Sequence, residues 1–296
     1  MAQIKITKEE LKHDEFIDAT DKFFLWLKNN FNLILVVLIV VFAVVAGRQV
    51  LKQRSDNAAA GASAIYGTAI ADYNEALAKT DWGTLEREQA LSGLMAQVRQ
   101  LEEEYPGSYL AAEGLYLLGS AYFSTGDDMR TARSGGGIPN TERAIDAFSR
   151  YTAQSQPNSV ERARGQLALA YANENAFFLT DKRSYLDDAM QTYSEVVSNP
   201  AAGFLADEAR LAMARIRTYV LDDREGAIEL YREVMDNRWR PAPAIPEEAP
   251  ESEVLRQNLL RQFQEISLAQ SAKIELLRLG VDVEAEYPTV ERTPAP

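Results

Sequence analysis

Cysteine is absent from this 296-residue chain, and histidine occurs once, at His13. Without cysteine there is no disulfide scaffold, thiolate metal site, cysteine nucleophile or cysteine-linked lipid anchor. With one histidine, neither a histidine-based triad nor a multi-histidine metal site can be built within one chain. Basic charge is also scarce: 31 Lys and Arg face 44 Asp and Glu, a formal net charge of −13. A surface of that sign repels phosphate backbones, so no nucleic-acid partner is expected. What remains is ordinary, 46% hydrophobic and 25% charged, enough for one or two domains with real cores. These absences point away from most enzymes.

The charge is unevenly spread. Residues 1–55 hold eight Lys or Arg and six Asp or Glu, a net of +2, which leaves −15 for residues 56–296. Within the first region, no charge interrupts the run from Lys28 to Arg48, which is filled with Val, Ile and Leu. As a helix, residues 29–47 extend roughly 28 Å, about one hydrocarbon core, and read as a transmembrane helix. Trp26 and Lys28 on one side and Arg48 on the other suit the two interfaces. The preceding 28 residues are acidic as well as basic, and Ala43-Val44-Val45-Ala46 has the wrong spacing for a cleavage site. An uncleaved signal anchor is therefore expected. Flanking Lys and Arg tie between the two sides, so charge leaves the orientation open.

Residues 1–28 form the expected cytosolic segment. They begin with a capping box, Thr7-Lys8-Glu9-Glu10, followed by a rough apolar stripe of Leu11, Phe16, Phe23, Trp26 and Leu27. Either an interfacial helix or a short juxtamembrane helix touching a partner fits that pattern. His13 lies in this charged stretch and reads as an exposed residue without a role.

Beyond Arg48 the periodicity is helical, with almost no strand signal. Tyr66, Ile70, Tyr73 and Leu77 continue the first helix, and Leu91, Leu94, Met95, Val98 and Leu101 mark the next. That helix stops at Glu104-Tyr105-Pro106-Gly107-Ser108. Then Leu118-Gly119, Tyr122, Gly126-Asp127, Ala144, Phe148 and Pro157 follow in the order a tetratricopeptide repeat requires. Gly119 and Ala144 are predicted where two antiparallel helices approach closely. About thirteen extra residues, relative to the roughly 34-residue repeat, lengthen the turn, with Ser134-Gly135-Gly136-Gly137 expected as a flexible loop.

Two weaker pairs follow. One runs through Leu167–Tyr171 and Ala189–Tyr193, the other through Leu211–Ala214 and Ala227–Tyr231. Residues 240–250, rich in proline, read as an extended linker. A last helix, with Leu255, Leu259, Phe263, Ile266, Leu276 and Leu277 on its apolar side, is expected to cap the stack. Residues 282–296 read as a disordered tail. The expected architecture is all-α: an N-terminal transmembrane helix, then a tetratricopeptide-like α-solenoid over residues 48–281 with a C-terminal capping helix.

The acid clusters Glu102-Glu103-Glu104, Asp127-Asp128, Asp187-Asp188 and Asp222-Asp223 are the sole candidates for acid–base chemistry. They sit at helix ends or turns, where solvated charges are expected, and no calcium-loop, cofactor or metal motif occurs. In a repeat pair the first helix lines the concave face. Counting from Leu118-Gly119, that face carries Tyr116, Ser120, Phe123 and Ser124, with Ile216 and Tyr219 as counterparts in the last pair. These residues either grip a partner or pack against neighbouring helices.

A charged N-terminus, one span and a repeat-bearing outer domain resemble the single-pass ancillary Sec-translocon subunits of bacterial inner membranes. The likeness rests on Phe23-Phe24-Leu25-Trp26 before the span, the exit from Arg48 through Ala62-Ser63-Ala64-Ile65-Tyr66, and the repeats. It covers about two hundred residues in layout. The resemblance implies periplasmic repeats that contact export machinery and a membrane-anchored folding factor. The longer turns and the proline-rich segment depart from it. Outer-membrane assembly lipoproteins share the look of Glu104–Ser108 and the repeat after it but need a lipidated cysteine, which is missing here. The expectation is a non-enzymatic scaffold for protein export or envelope protein folding; the alternative is an accessory subunit of a larger membrane complex.

Overall fold

A computed structural model describes residues 31–78, 85–239 and 267–288. Two compact units divide the chain, residues 1–61 and 62–296. Helix α1, Phe31–Ala78, crosses the division. The second unit continues with α2 (Leu85–Glu104), α3 (Tyr109–Thr125), α4 (Pro139–Gln154), α5 (Val160–Thr180), α6 (Arg183–Ser198), α7 (Phe204–Tyr219) and α8 (Arg224–Arg238). It ends with α9 (Leu268–Arg278) and the single turn α10 (Val283–Glu286). Every regular element among the described residues is helical, so the protein is all-α.

The expected cytosolic segment and linker, residues 1–28 and 240–250, lie outside the described residues. Residues 31–47 of the expected span belong to α1, but their side chains are not among those described. Among the described residues no helix is long and apolar enough to cross a membrane.

Local chemistry sets the helix ends. Ser108, Ser159 and Ser267 cap α3, α5 and α9, each side-chain oxygen accepting from a first-turn N–H at 3.1 to 3.2 Å. Asp223 caps α8 in the same way through the Gly226 N–H. The cap of α4 comes from across the turn. Asp127 accepts from the Asn140 N–H, the Thr141 N–H and the Thr141 hydroxyl at 2.7 to 3.1 Å. Those first-turn donors would otherwise be unpaired.

The insert between α3 and α4 corrects one expectation. Met129–Thr131 forms a helical turn and Ala132–Gly136 a π-helical one, rather than a featureless loop. The reason is packing: buried Ala132 and Ile138 form a small cluster with Ala176 and Leu179 of α5. Gly135 and Gly137, with φ of 94° and 81°, supply the left-handed backbone that turns the chain back.

From α2 onward each helix packs on its successor, and the odd-numbered helices also touch in sequence, α3 with α5, α5 with α7 and α7 with α9. Three cores result. Leu94, Val98, Leu115, Phe148 and Tyr151 centre the first. Leu167, Leu186, Tyr193, Val196 and Ile216 centre the second, and Tyr231, Met235, Trp239, Leu276 and Val283 the third. Gly119 is where expected: a Cβ there would lie 2.7 Å from the Phe148 ring. Gly165 is tighter, 2.5 Å from Tyr151.

The C-terminal end differs from expectation in two respects. Leu276 is buried in the third core, but Leu277 is exposed, because adjacent helical positions point about 100° apart. The residues from Asp282 to Pro288 are not a disordered tail. Val283 is fully buried, the Tyr287 hydroxyl donates to Asp236 at 2.8 Å, and the Trp239 indole donates to the Pro288 carbonyl at 3.1 Å.

Candidate functional site

Two polar triads tie successive helices together. In the first, Glu113 of α3 accepts from the Tyr151 hydroxyl of α4 at 3.1 Å and from Arg164 of α5 at 2.5 Å. The Arg164 guanidinium also lies 4.1 Å over the Tyr116 ring, whose centroid is 5.2 Å from that of Tyr151. In the second, Glu174 of α5 accepts from Tyr193 of α6 at 2.6 Å and from Arg215 of α7 at 2.7 and 3.0 Å. Both follow one order: a carboxylate on an odd helix, a tyrosine on the next even helix and an arginine on the next odd helix.

Burial first, then the adjacent glutamate, raises the tyrosine hydroxyls well above their ordinary range: Glu113 acts on Tyr151 and Glu174 on Tyr193. Burial also raises Tyr171, helped by Glu208, which accepts its hydroxyl at 3.0 Å. For Arg164 and Arg215 burial alone acts downward. The nearby tyrosines and glutamates outweigh it, so both are raised.

The second triad borders a cavity of about 460 Å³ where α5, α7 and α9 converge over α8. Its floor is Leu211 and Ala212 of α7 with the Tyr231 ring of α8. Leu268 and Ile274 of α9 and Tyr171 of α5 also line it. Around the rim stand Glu208, Arg215, Glu275 and Arg278. These charges are paired: Arg278 donates to Glu275 at 2.7 Å, and Arg215 to Glu174. The Tyr231 hydroxyl is buried and raised by that burial to about 12, with the Thr218 side chain beside it acting in the opposite direction.

The expected binding residues divide. Tyr116 is half-buried, stacked among Phe148, Tyr151 and Arg164. Ser120 is half-buried on the same face, while Phe123 and Ser124 are exposed at the end of α3. Tyr219 is 59% exposed, and its hydroxyl donates to Glu275 at 2.6 Å, which joins it to the cavity rim. Ile216 is corrected: at 1% exposure it is a core residue. Counted from its helix start, it matches the buried Ala121 and Ala172. Its neighbour Arg215 is the residue on the face of Ser120.

Sequence reading missed Arg164, Tyr171, Glu208, Leu211 and Ile274. A signal existed. From each odd-helix start the same face recurs at i, i+3 and i+7: Glu113, Tyr116, Ser120; Arg164, Leu167, Tyr171; Glu208, Leu211, Arg215. The paired acids have structural tasks. Asp127 and Asp223 cap helices, Asp128 accepts the Thr131 N–H at 2.6 Å, Asp187 pairs with Arg183, and Glu102 pairs with Arg150. Compared with known proteins, the chain matches no protein-family model, no curated relative and no solved structure.

Proposed function

We propose that this chain is a non-enzymatic, membrane-anchored interaction scaffold. Its helix pairs form a tetratricopeptide-like solenoid, and residues 29–47 hold it in a bacterial inner membrane. The solenoid faces the periplasm and recruits proteins of export or envelope folding. The solenoid reading draws support from the sequential pairing and the contacts between successive odd helices.

One observation carries the binding role. From α3 onward, the exposed large apolar side chains lie on odd helices, apart from Met129 in the insert. They are Tyr109 and Phe123 on α3, Val160 and Phe178 on α5, Phe204 and Tyr219 on α7, and Ile274 and Leu277 on α9. Among the described residues, α4, α6 and α8 carry none. A scatter of tolerated surface apolar residues would not respect helix parity; a layer reserved for contact does.

Mass spectrometry of the gently solubilised complex from native membranes tests the reading. Export or folding components are expected with the wild type and are lost with Phe178→Glu/Phe204→Glu/Tyr219→Glu. Recovery of some other membrane complex, unchanged by those substitutions but lost on deleting residues 1–47, would replace this reading with an accessory-subunit role. Protease accessibility in intact spheroplasts reports the side: cleavage of the large unit from outside is expected, and protection would refute the orientation.

A further inference from the structure

A second cavity, of about 380 Å³, opens where the turn before α3, the end of α4 and the start of α5 meet. Buried Glu113 and Tyr151 line it together with the exposed side chains of Tyr109, Gln154, Gln156 and Glu161. The first acid is matched, since Arg164 pairs with Glu113 at 2.5 Å. Among the described residues Glu161 has no cation beside it, so the cavity carries one uncompensated negative charge in reach of solvent. The charge of Glu113, more than burial, raises the Tyr109 hydroxyl, and Glu161 adds to the rise. Both acids therefore act at the same aromatic wall.

The next junction of the stack is closed instead. Counted from the helix starts, the place of Glu161 in α7 is taken by Leu205, which is buried in the second core. The fold can thus seal such a junction with an apolar side chain. Between α4 and α5 it keeps an open cleft with a carboxylate at its edge.

The lining narrows the occupant. An anion is repelled by Glu161 and by the −15 carried by residues 56–296. An apolar group would meet a carboxylate and two amides. A metal ion lacks ligands, because among the described residues no three His, Cys, Asp or Glu side chains gather to hold one. A cation with several N–H donors is left, with the Glu161 carboxylate and the amide oxygens of Gln154 and Gln156 as acceptors and the Tyr109 ring as a stacking face. A planar guanidinium, with five donors and weak hydration, uses all of these better than an ammonium does. Tyr109, 64% exposed, and Val160, next to Glu161 and 53% exposed, belong to the apolar layer of the odd helices. A chain laid across that layer passes the mouth of the cleft.

The geometry points to this cavity as the receptor for an arginine side chain of a basic segment in the partner polypeptide. This deepens the scaffold reading and rests on it. The Glu161 carboxylate pairs with the guanidinium, Gln154 and Gln156 accept its remaining N–H groups, and Tyr109 covers its face.

Fluorescence anisotropy on the full chain in lipid nanodiscs tests the pocket. The probe is a short, blocked, labelled peptide with Leu-Arg-Leu between Gly-Ser flanks. Saturable binding is expected, about fivefold weaker when citrulline, the uncharged isostere, replaces the arginine, and about threefold weaker with lysine. Glu161→Gln, an exposed change, should lose about fivefold with an unaltered melting curve, and Tyr109→Ala about threefold. Glu225→Gln removes the same charge from the first turn of α8, outside the cavity, and should bind as the wild type. No saturable binding, equal binding of the citrulline peptide, or equal losses in Glu161→Gln and Glu225→Gln would overturn the pocket. So would displacement of the peptide by free agmatine at equal concentration, or self-association of the chain that Glu161→Gln abolishes. If the peptide fails while native complexes still form through Phe178, Phe204 and Tyr219, this pocket alone is refuted. If no complex forms, the scaffold reading itself fails.

Discussion

Replacing Glu174 with leucine tests whether the triads stabilise the helix stack or merely decorate it. Glu174 is 5% exposed and accepts from the fully buried Tyr193 and from Arg215, whose side chain is 48% exposed. The two partners respond differently. Arg215 can turn to water, so losing its pair costs at most about 1 kcal/mol. Tyr193 cannot, and a buried hydroxyl without an acceptor costs roughly 1–3 kcal/mol. Glu174→Leu should therefore destabilise by about 1–4 kcal/mol, measured by urea unfolding followed by circular dichroism. The sign of a second change is the sharper test. In the wild type, Tyr193→Phe removes a made hydrogen bond and should cost about 1 kcal/mol. In the Glu174→Leu background it removes an orphaned hydroxyl and should restore about 1 kcal/mol or more. If Tyr193→Phe is equally destabilising in both backgrounds, the hydroxyl finds another acceptor and the triad is not the link between α5 and α6.

Three further outcomes follow from single contacts. Gly119→Ala should cost about 1–3 kcal/mol, because the new Cβ meets the Phe148 ring at 2.7 Å, whereas Gly67→Ala, with nothing within 4 Å, should stabilise by about 0.5–1 kcal/mol; thermal melts of the two variants compare them. Stability should fall as pH rises above about 10, since Tyr151, Tyr171 and Tyr193 are raised in the fold while unfolded tyrosine ionises near 10. Their contribution is whole below that pH and is lost above it, so Tyr193→Phe should flatten the alkaline slope of the unfolding free energy, and an unchanged slope would contradict the assignment. Deleting residues 283–296 should red-shift the emission of Trp239 in a Trp26→Phe/Trp82→Phe background, because Val283 and the Pro288 carbonyl both contact its surroundings.

The helix order was legible because apolar periodicity and caps agree from Leu91 to Tyr231, and the close approach at Gly119 followed from its lack of a side chain. The half-buried face of α3 that holds Tyr116 and Ser120 was legible, but the matching face of α7 was not. Carrying that face to α7 by residue type selected Ile216, whereas carrying it by distance from the helix start selects Arg215. Apolar character was a misleading guide, since the largest apolar residue at a repeat contact belongs in the core. The ordered end at Asp282–Pro288 was hidden for another reason. Val283 is buried in a cluster that includes Tyr231, Met235 and Trp239, residues far earlier in the chain that no local pattern ties to it.

The triads explain why sequence periodicity was weak while the architecture is regular. Glu113 and Arg164 occupy equal positions on successive odd helices but play opposite roles, acceptor and donor of a single ion pair. Glu174 sits where α3 has Phe123, and Tyr193 follows buried Ala189 at the spacing by which Phe148 follows Ala144, rather than taking the place of Tyr151. The same link is thus made from different positions, so the three-dimensional repeat persists where the residue repeat does not. An arginine drawn from the following odd helix closes each link only when that helix is already docked. Each triad therefore couples the docking of one pair to the next. That coupling keeps α5 and α7 in fixed relation beneath the cavity. It follows that breaking the Glu174 link should loosen the docking of α7 on α5 and α6, read as faster amide hydrogen exchange in α7, whereas breaking the Glu113 link should leave exchange in α7 unaltered.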